Sequence, residues 1–85
     1  MADVIIGYKI LPKTVEINLD KLEENIVKDL KPAKISREPI AFGLVAIHIV
    51  MVVPDAGGVV EEIENKLKAI EDIGEIEVTG LTRSL

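Results

Sequence analysis

Cysteine, tryptophan and glutamine are absent from the chain, and its aromatics are reduced to Tyr8 and Phe42. Without cysteine there is no disulfide framework, no thiolate metal site and no thiol nucleophile, and a reducing compartment suits such a chain. Two aromatics and a net charge of −5 exclude the stacking platform and basic footprint of a sheet that binds single-stranded RNA. No direct nucleic-acid partner is therefore expected. No apolar run reaches the ~18–20 residues that span a bilayer. The longest, Leu44 to Val53, is interrupted by His48, and no basic segment followed by an apolar one reads as a signal peptide. The expectation is a cytoplasmic protein with no membrane partner.

Catalytic groups are equally sparse. His48 is the only histidine and lies mid-strand with no partner identifiable by spacing. Serine and threonine are confined to Thr14, Ser36 and three of the last seven positions, so no nucleophile stands beside a base. Glu61, Glu62 and Glu64 crowd the start of a helical segment but follow no calcium or zinc spacing; as a solvated face they complement the helix dipole. Gly57-Gly58 lacks the Lys and Ser or Thr of a phosphate-binding loop. These absences predict a protein that is no enzyme and carries no cofactor, metal or catalytic residue.

What is present is a branched aliphatic core and a lopsided charge. Eighty-five residues suffice for one domain, residues 1–85, and isoleucine plus valine number 23. Residues 1–54 carry seven acids and seven bases, whereas residues 55–77 carry eight acids and two bases, so the acidity sits on the second half. Abundant Glu and Lys with no Gln suit a heat-adapted protein.

Met1 to Leu11 is rich in branched residues and stops at Pro12, which predicts a strand. Leu19, Leu22, Ile26, Val27 and Leu30 recur at helical spacing after a candidate N-cap, Asn18, and Pro32 closes that segment. Ala33 to Glu38 is a weaker strand signal, and Glu38 to Gly43 has turn chemistry. Leu44 to Val53 is the strongest strand, followed by the loop Pro54 to Gly58. Val60, Ile63, Leu67 and Ile70 predict a second helix, with Gly74 just beyond it as its terminating glycine. Glu75 to Leu81 alternates as a half-exposed strand.

The order β-α-β-β-α-β predicts an α+β, ferredoxin-like sandwich: a four-stranded antiparallel sheet with two helices on one face. Parity sends Val45, Ile47, Ile49, Met51 and Val53 to the helices, and Phe42, Leu44, Ala46, His48, Val50 and Val52 to the other face. If Ile76 and Val78 also face the helices, Glu77 and Lys9 share the open face with His48. Leu22, Ile26, Ile63 and Leu67 are the expected helix contacts.

Two residues stand apart. Phe42, the only phenylalanine, sits in a turn between Pro39 and Gly43, and the residues alone leave two readings: a ring folded into the core, or an exposed anchor. Arg83 is the only base after Lys68, either a solvated cation at a frayed end or a contact.

Three segments then carry a resemblance. Glu38-Pro39-Ile40-Ala41-Phe42-Gly43-Leu44 runs into a hydrophobic strand. Val52-Val53-Pro54-Asp55 precedes a glycine loop and an acidic helix. Ile76-Glu77-Val78-Thr79-Gly80-Leu81-Thr82-Arg83-Ser84-Leu85 ends the chain. Over essentially its whole length the sequence resembles the archaeal elongation factor 1-beta family and the C-terminal exchange domain of its eukaryotic relative. The resemblance implies a guanine nucleotide exchange factor for the GTPase elongation factor 1-alpha. It implies that Phe42, within Pro39, Ile40 and Gly43, enters a pocket on the GTPase. It also implies that Arg83 stands where the relative has a lysine directed at the magnesium and phosphate region. The competing expectation is a regulatory ligand-binding or oligomerisation module that pairs through a sheet edge or the open face.

Overall fold

Alternation dominates the first strand. In the computed structural model, which describes residues 3–84, β1 (Asp3–Pro12) buries Val4, Ile6, Tyr8 and Ile10 while Asp3 and Ile5 face out. Met1 and Leu85, the ends of the expected first strand and of the C-terminal segment, lie outside the described residues. Helix α1 (Leu19–Leu30) starts where Asn18 Oδ1 accepts the Lys21 N–H at 3.2 Å. It ends at Lys31, whose left-handed backbone returns its N–H to the Val27 carbonyl at 3.0 Å.

The short edge strand β2 (Lys34–Pro39), β3 (Val45–Pro54), α2 (Val59–Lys68) and β4 (Ile73–Ser84) follow. The sheet order is β2-β3-β1-β4, every neighbouring pair is antiparallel, and both helices cover one face. The β-α-β-β-α-β expectation holds. Leu22 and Ile26 of α1 and Ile63 and Leu67 of α2 are buried against Ile6, Tyr8, Ile47 and Ile49. Truncating one such side chain to alanine costs about 2–5 kcal/mol through lost burial and the cavity left behind. Arg37 lies opposite Ile47 on the helix side of β2 and reaches α1, pairing with Asp20 at 2.6 Å and with Glu23. Those carboxylates hold the guanidinium in its charged form.

Departures from the expected pattern concentrate in β4. The strand runs to Ser84, so Arg83 belongs to the sheet rather than to a frayed end. Gly74 does not terminate α2, which closes through Ala69; it lies inside β4 at an irregularity where Leu11 pairs with Glu75 but Pro12 with Ile73. A Cβ there would stand 3.0 Å from Lys13 Cα, so the position needs glycine for close backbone approach. A second bulge skips Thr79, with Tyr8 opposite Val78 and Gly7 opposite Gly80. Val78 thus shares the helix side with Tyr8, yet on the sheet edge it remains half exposed. Ala46, on the open face, is nonetheless buried, and Phe42 lies in the turn before β3 rather than in the strand's alternation. Among the described residues no helix is long and apolar enough to cross a membrane.

Candidate functional site

Pro39 ends the edge strand opposite Val45, and Ala41–Gly43 form a single 3-10 turn. Ile40 N–H donates to the Leu44 carbonyl at 2.8 Å and Leu44 N–H to the Ala41 carbonyl at 3.3 Å, so the loop is clasped at its base. Within the clasp, Phe42 has φ 62° and ψ 30°, and Gly43 φ 76°. Glycine takes that left-handed conformation freely; a phenylalanine there stores about 1–2 kcal/mol of steric strain. The result is a ring 95% exposed, the most exposed large apolar side chain among the described residues. Of the two readings left open by the residues, the buried one is excluded. Proline, a half-buried Ile40 and the two hydrogen bonds stiffen the backbone of the turn, so the base of the ring is held in place before any contact.

The second expected contact is at the far end of the sheet. Arg83 stands opposite Val4, on the helix side of β4, with its side chain 63% exposed. Its Nε donates to Asp55 Oδ2 at 3.2 Å, across to the loop that leads from β3 into α2. An open groove lies between this strand end and the start of α2, lined by Gly57, Gly58, Val59, Glu64 and Leu81. Gly58 caps α2 without a side-chain acceptor, and Glu61 and Glu62 fill its first turn. These acids complement the helix dipole, as their spacing suggests.

The structure does not bring Phe42 and Arg83 together. One precedes β3 and the other is level with its far end, since Val4 pairs with both Val53 and Arg83. Eight steps of strand from Val45 to Val53 at about 3.4 Å each, plus the turn that carries Phe42, separate them by roughly 30 Å. Pro39, Ile40 and Gly43 stay with Phe42 at one pole; Asp55 joins Arg83 at the other.

Between the poles, the open face carries a polar row that parity anticipates. Glu77 pairs with Lys9, Lys9 with His48, and His48 with Ser36. Glu38 Oε2 lies 2.6 Å from His48 Nε2, yet no well-aligned hydrogen bond reaches that nitrogen among the described residues. No hydrogen bond joins Ser36 to the ring, so the pair has no nucleophile–base geometry. On the other face the buried Tyr8 hydroxyl has no hydrogen-bond partner among the described residues; burial, with Glu64 nearby, pushes its pKa up. Among the described residues no group of three or more His, Cys, Asp or Glu side chains could hold a metal ion.

Comparison with known proteins adds an independent line. The model of the EF-1 guanine nucleotide exchange domain matches residues 5–83. Elongation factor 1-beta of Methanothermobacter thermautotrophicus is 40% identical, over 98% of this chain and of that protein. The Pyrococcus abyssi protein of the same name is 40% identical over 93% of each. That of Pyrobaculum arsenaticum is 32% identical over 96% of this chain and 95% of its own.

Proposed function

The chain belongs to the EF-1 guanine nucleotide exchange domain family and is a translation elongation factor of the nucleotide-exchange type; from that premise we propose that it acts as a single domain on the GTPase elongation factor 1-alpha, in the cytoplasm, gripping it with Phe42 at one pole and Arg83 at the other. The observation that carries this reading is the Phe42 ring: 95% exposed, on a clasped turn, held in a backbone conformation that costs free energy. An aromatic maintained there at a cost to stability is suited to filling a partner's pocket, where desolvated rings dominate binding energy.

Exchange requires no catalytic group on the factor. A protein that binds the nucleotide-free GTPase more tightly than the loaded one must weaken nucleotide binding by the same coupling free energy. In the GTPase, magnesium bridges the phosphates and holds the switch segments. Arg83 supplies a cation that competes with this ion or shifts its ligands. An arginine is larger than a lysine and forked, so it delivers its charge over a broader front. Turn residues Pro39, Ile40 and Gly43 orient the ring, and the acidic α2 end contributes no cation. The reading calls for no direct contact with nucleic acid or membrane.

The test is stimulated release of labelled GDP from an archaeal elongation factor 1-alpha in millimolar magnesium. Release accelerated in proportion to factor concentration supports the proposal. Unchanged release, with the factor folded and the GTPase active, removes it.

A further inference from the structure

The bulge at Thr79 decides on which side of the sheet Arg83 emerges. Ile76 and Val78 lie opposite Ile10 and Tyr8, hence on the helix side. Unbroken alternation from Val78 would carry Gly80 and Thr82 to that side and turn Leu81 and Arg83 onto the open face. Instead Thr79 is skipped. Gly80 falls opposite Gly7, Leu81 opposite Ile6 and Arg83 opposite Val4, which returns Arg83 to the helix side, within 3.2 Å of Asp55.

Gly7 makes room for the skipped residue. A Cβ on Gly7 would lie 2.6 Å from Thr79 Oγ1, closer than side-chain atoms approach. Thr79 is β-branched and stiff at χ1, so the space over Gly7 is where its hydroxyl is seated. Nothing about the Gly7 backbone itself demands glycine, because its φ is not among the positive ones. The glycine is needed by its neighbour.

We propose that Gly7 and Thr79 form a register device that positions Arg83 for nucleotide exchange, by flipping the parity of the last turn of strand so that the cation faces the Asp55 loop. The proposal rests on the reading of Arg83 as the partner-contacting cation, but its structural half stands without it. A valine at position 7 suits an extended strand and fills the space that Thr79 uses, so it favours the unbulged ladder. In that register Thr79 pairs with residue 7 and Arg83 swings to the open face. Deleting Thr79 from the same variant removes the extra residue and returns Arg83 to its place opposite Val4.

The experiment compares wild type, Gly7→Val, Gly7→Val with Thr79 deleted, and the exchanged pair Thr82→Arg with Arg83→Thr, each with and without a residue-83 alanine where an arginine stands there. Two readouts are taken. Amide hydrogen exchange by NMR reports register, because an edge strand with one partner protects alternate amides, and a one-residue slip passes protection to the other set. GDP release from the GTPase reports function. In Gly7→Val, protection over residues 80–83 changes set, and release falls as far as in Arg83→Ala, at least about tenfold for a lost charged contact. Adding Arg83→Ala to Gly7→Val then costs nothing more. Deleting Thr79 restores both the protection pattern and the dependence on Arg83. The exchanged pair keeps the fold and total charge but loses exchange; its two positions are exposed, so it remains informative should Gly7→Val not fold.

A Gly7→Val protein with the wild-type amide pattern overturns the device. So does full exchange by the exchanged pair while Arg83→Ala is inactive, because the face would then be irrelevant. If Arg83→Ala itself exchanges normally, the functional reading of Arg83 has failed, while the amide pattern still decides the register claim.

Discussion

Replacing Phe42 separates the cost of folding from the cost of function, because its ring contributes so little to the core. A fully buried phenylalanine removes about 150–250 Å² from water. At 95% exposure only about a twentieth of that is covered here, roughly 10 Å², worth about 0.25 kcal/mol at ~25 cal/mol per Å². Phe42→Ala keeps a Cβ and hence keeps the strain of φ 62°, so its stability changes by no more than about 0.3 kcal/mol. Phe42→Gly also releases about 1–2 kcal/mol of left-handed strain, offset by the ~0.5–1 kcal/mol of extra freedom glycine has in the unfolded chain. The glycine variant therefore melts at or above wild type, by up to about 4–8 °C if the net gain reaches 1 kcal/mol. In GDP release both variants lose the anchor, and a hot-spot aromatic worth about 2 kcal/mol corresponds to roughly a thirtyfold loss in apparent affinity. Thermal melts followed by circular dichroism, and factor titrations of labelled-GDP release, measure the two quantities on the same samples. The reasoning fails if Phe42→Ala loses ~3–5 kcal/mol, the signature of a core ring. It fails equally if both variants melt as expected and exchange like wild type.

The remaining expectations concern Arg83, Tyr8 and Gly74. Arg83→Ala slows GDP release in millimolar magnesium, the deficit shrinks when the metal is chelated, and Arg83→Lys keeps most activity; an alanine variant as active as wild type in magnesium refutes the role. Tyr8→Phe removes a buried hydroxyl with no hydrogen-bond partner among the described residues and is neutral or stabilising by up to about 1 kcal/mol, as read by denaturant melts. Because the folded Tyr8 pKa is raised above its unfolded value near 10, its share of stability is complete below that pH and lost as pH rises through the folded pKa. Tyr8→Phe should therefore flatten the alkaline fall in stability, and an unchanged alkaline limb counts against this. Gly74→Ala forces a Cβ to within 3.0 Å of the Lys13 backbone and costs about 1–3 kcal/mol, whereas a wild-type melt would show that the bulge yields freely.

Elements with strong periodicity were readable from residue order. Leu22, Ile26, Ile63 and Leu67 announce two helical faces, Asn18 announces a cap, and the alternation of β3 predicts which side Ile47, Ile49 and Met51 bury. The polar row of Glu77, Lys9 and His48 follows from the same parity. What escaped is what parity cannot encode. A bulge adds one residue without changing composition, so neither Thr79 nor Gly74 signals its register shift, and Gly74 resembles an ordinary helix terminator. The side on which Arg83 emerges was invisible for that reason. Phe42 was ambiguous for another: a phenylalanine carries no propensity for positive φ, and only the clasp between Ile40 and Leu44 turns it outward.

A domain with its two proposed contacts at opposite poles would work differently from one with a single binding patch. The molecule is 42 Å along its principal axis and 22 Å across, and β3 runs between Phe42 and Asp55 as a stiff spacer, paired with β2 over Val45 to Val50 and with β1 over Ile47 to Pro54. Once either pole is seated, the other is delivered to a fixed place, so the second contact forms without a second loss of translational freedom. Stiffness also makes the spacing selective. A GTPase conformation that offers a ring pocket and a cation site about 30 Å apart receives both contacts, whereas one with another spacing receives only one. The difference in binding free energy between those conformations is the quantity that linkage converts into weaker nucleotide binding. On this reading the sheet's rigidity is part of the mechanism. A cavity in the middle of β3, far from both contacts, should then impair exchange before it unfolds the protein.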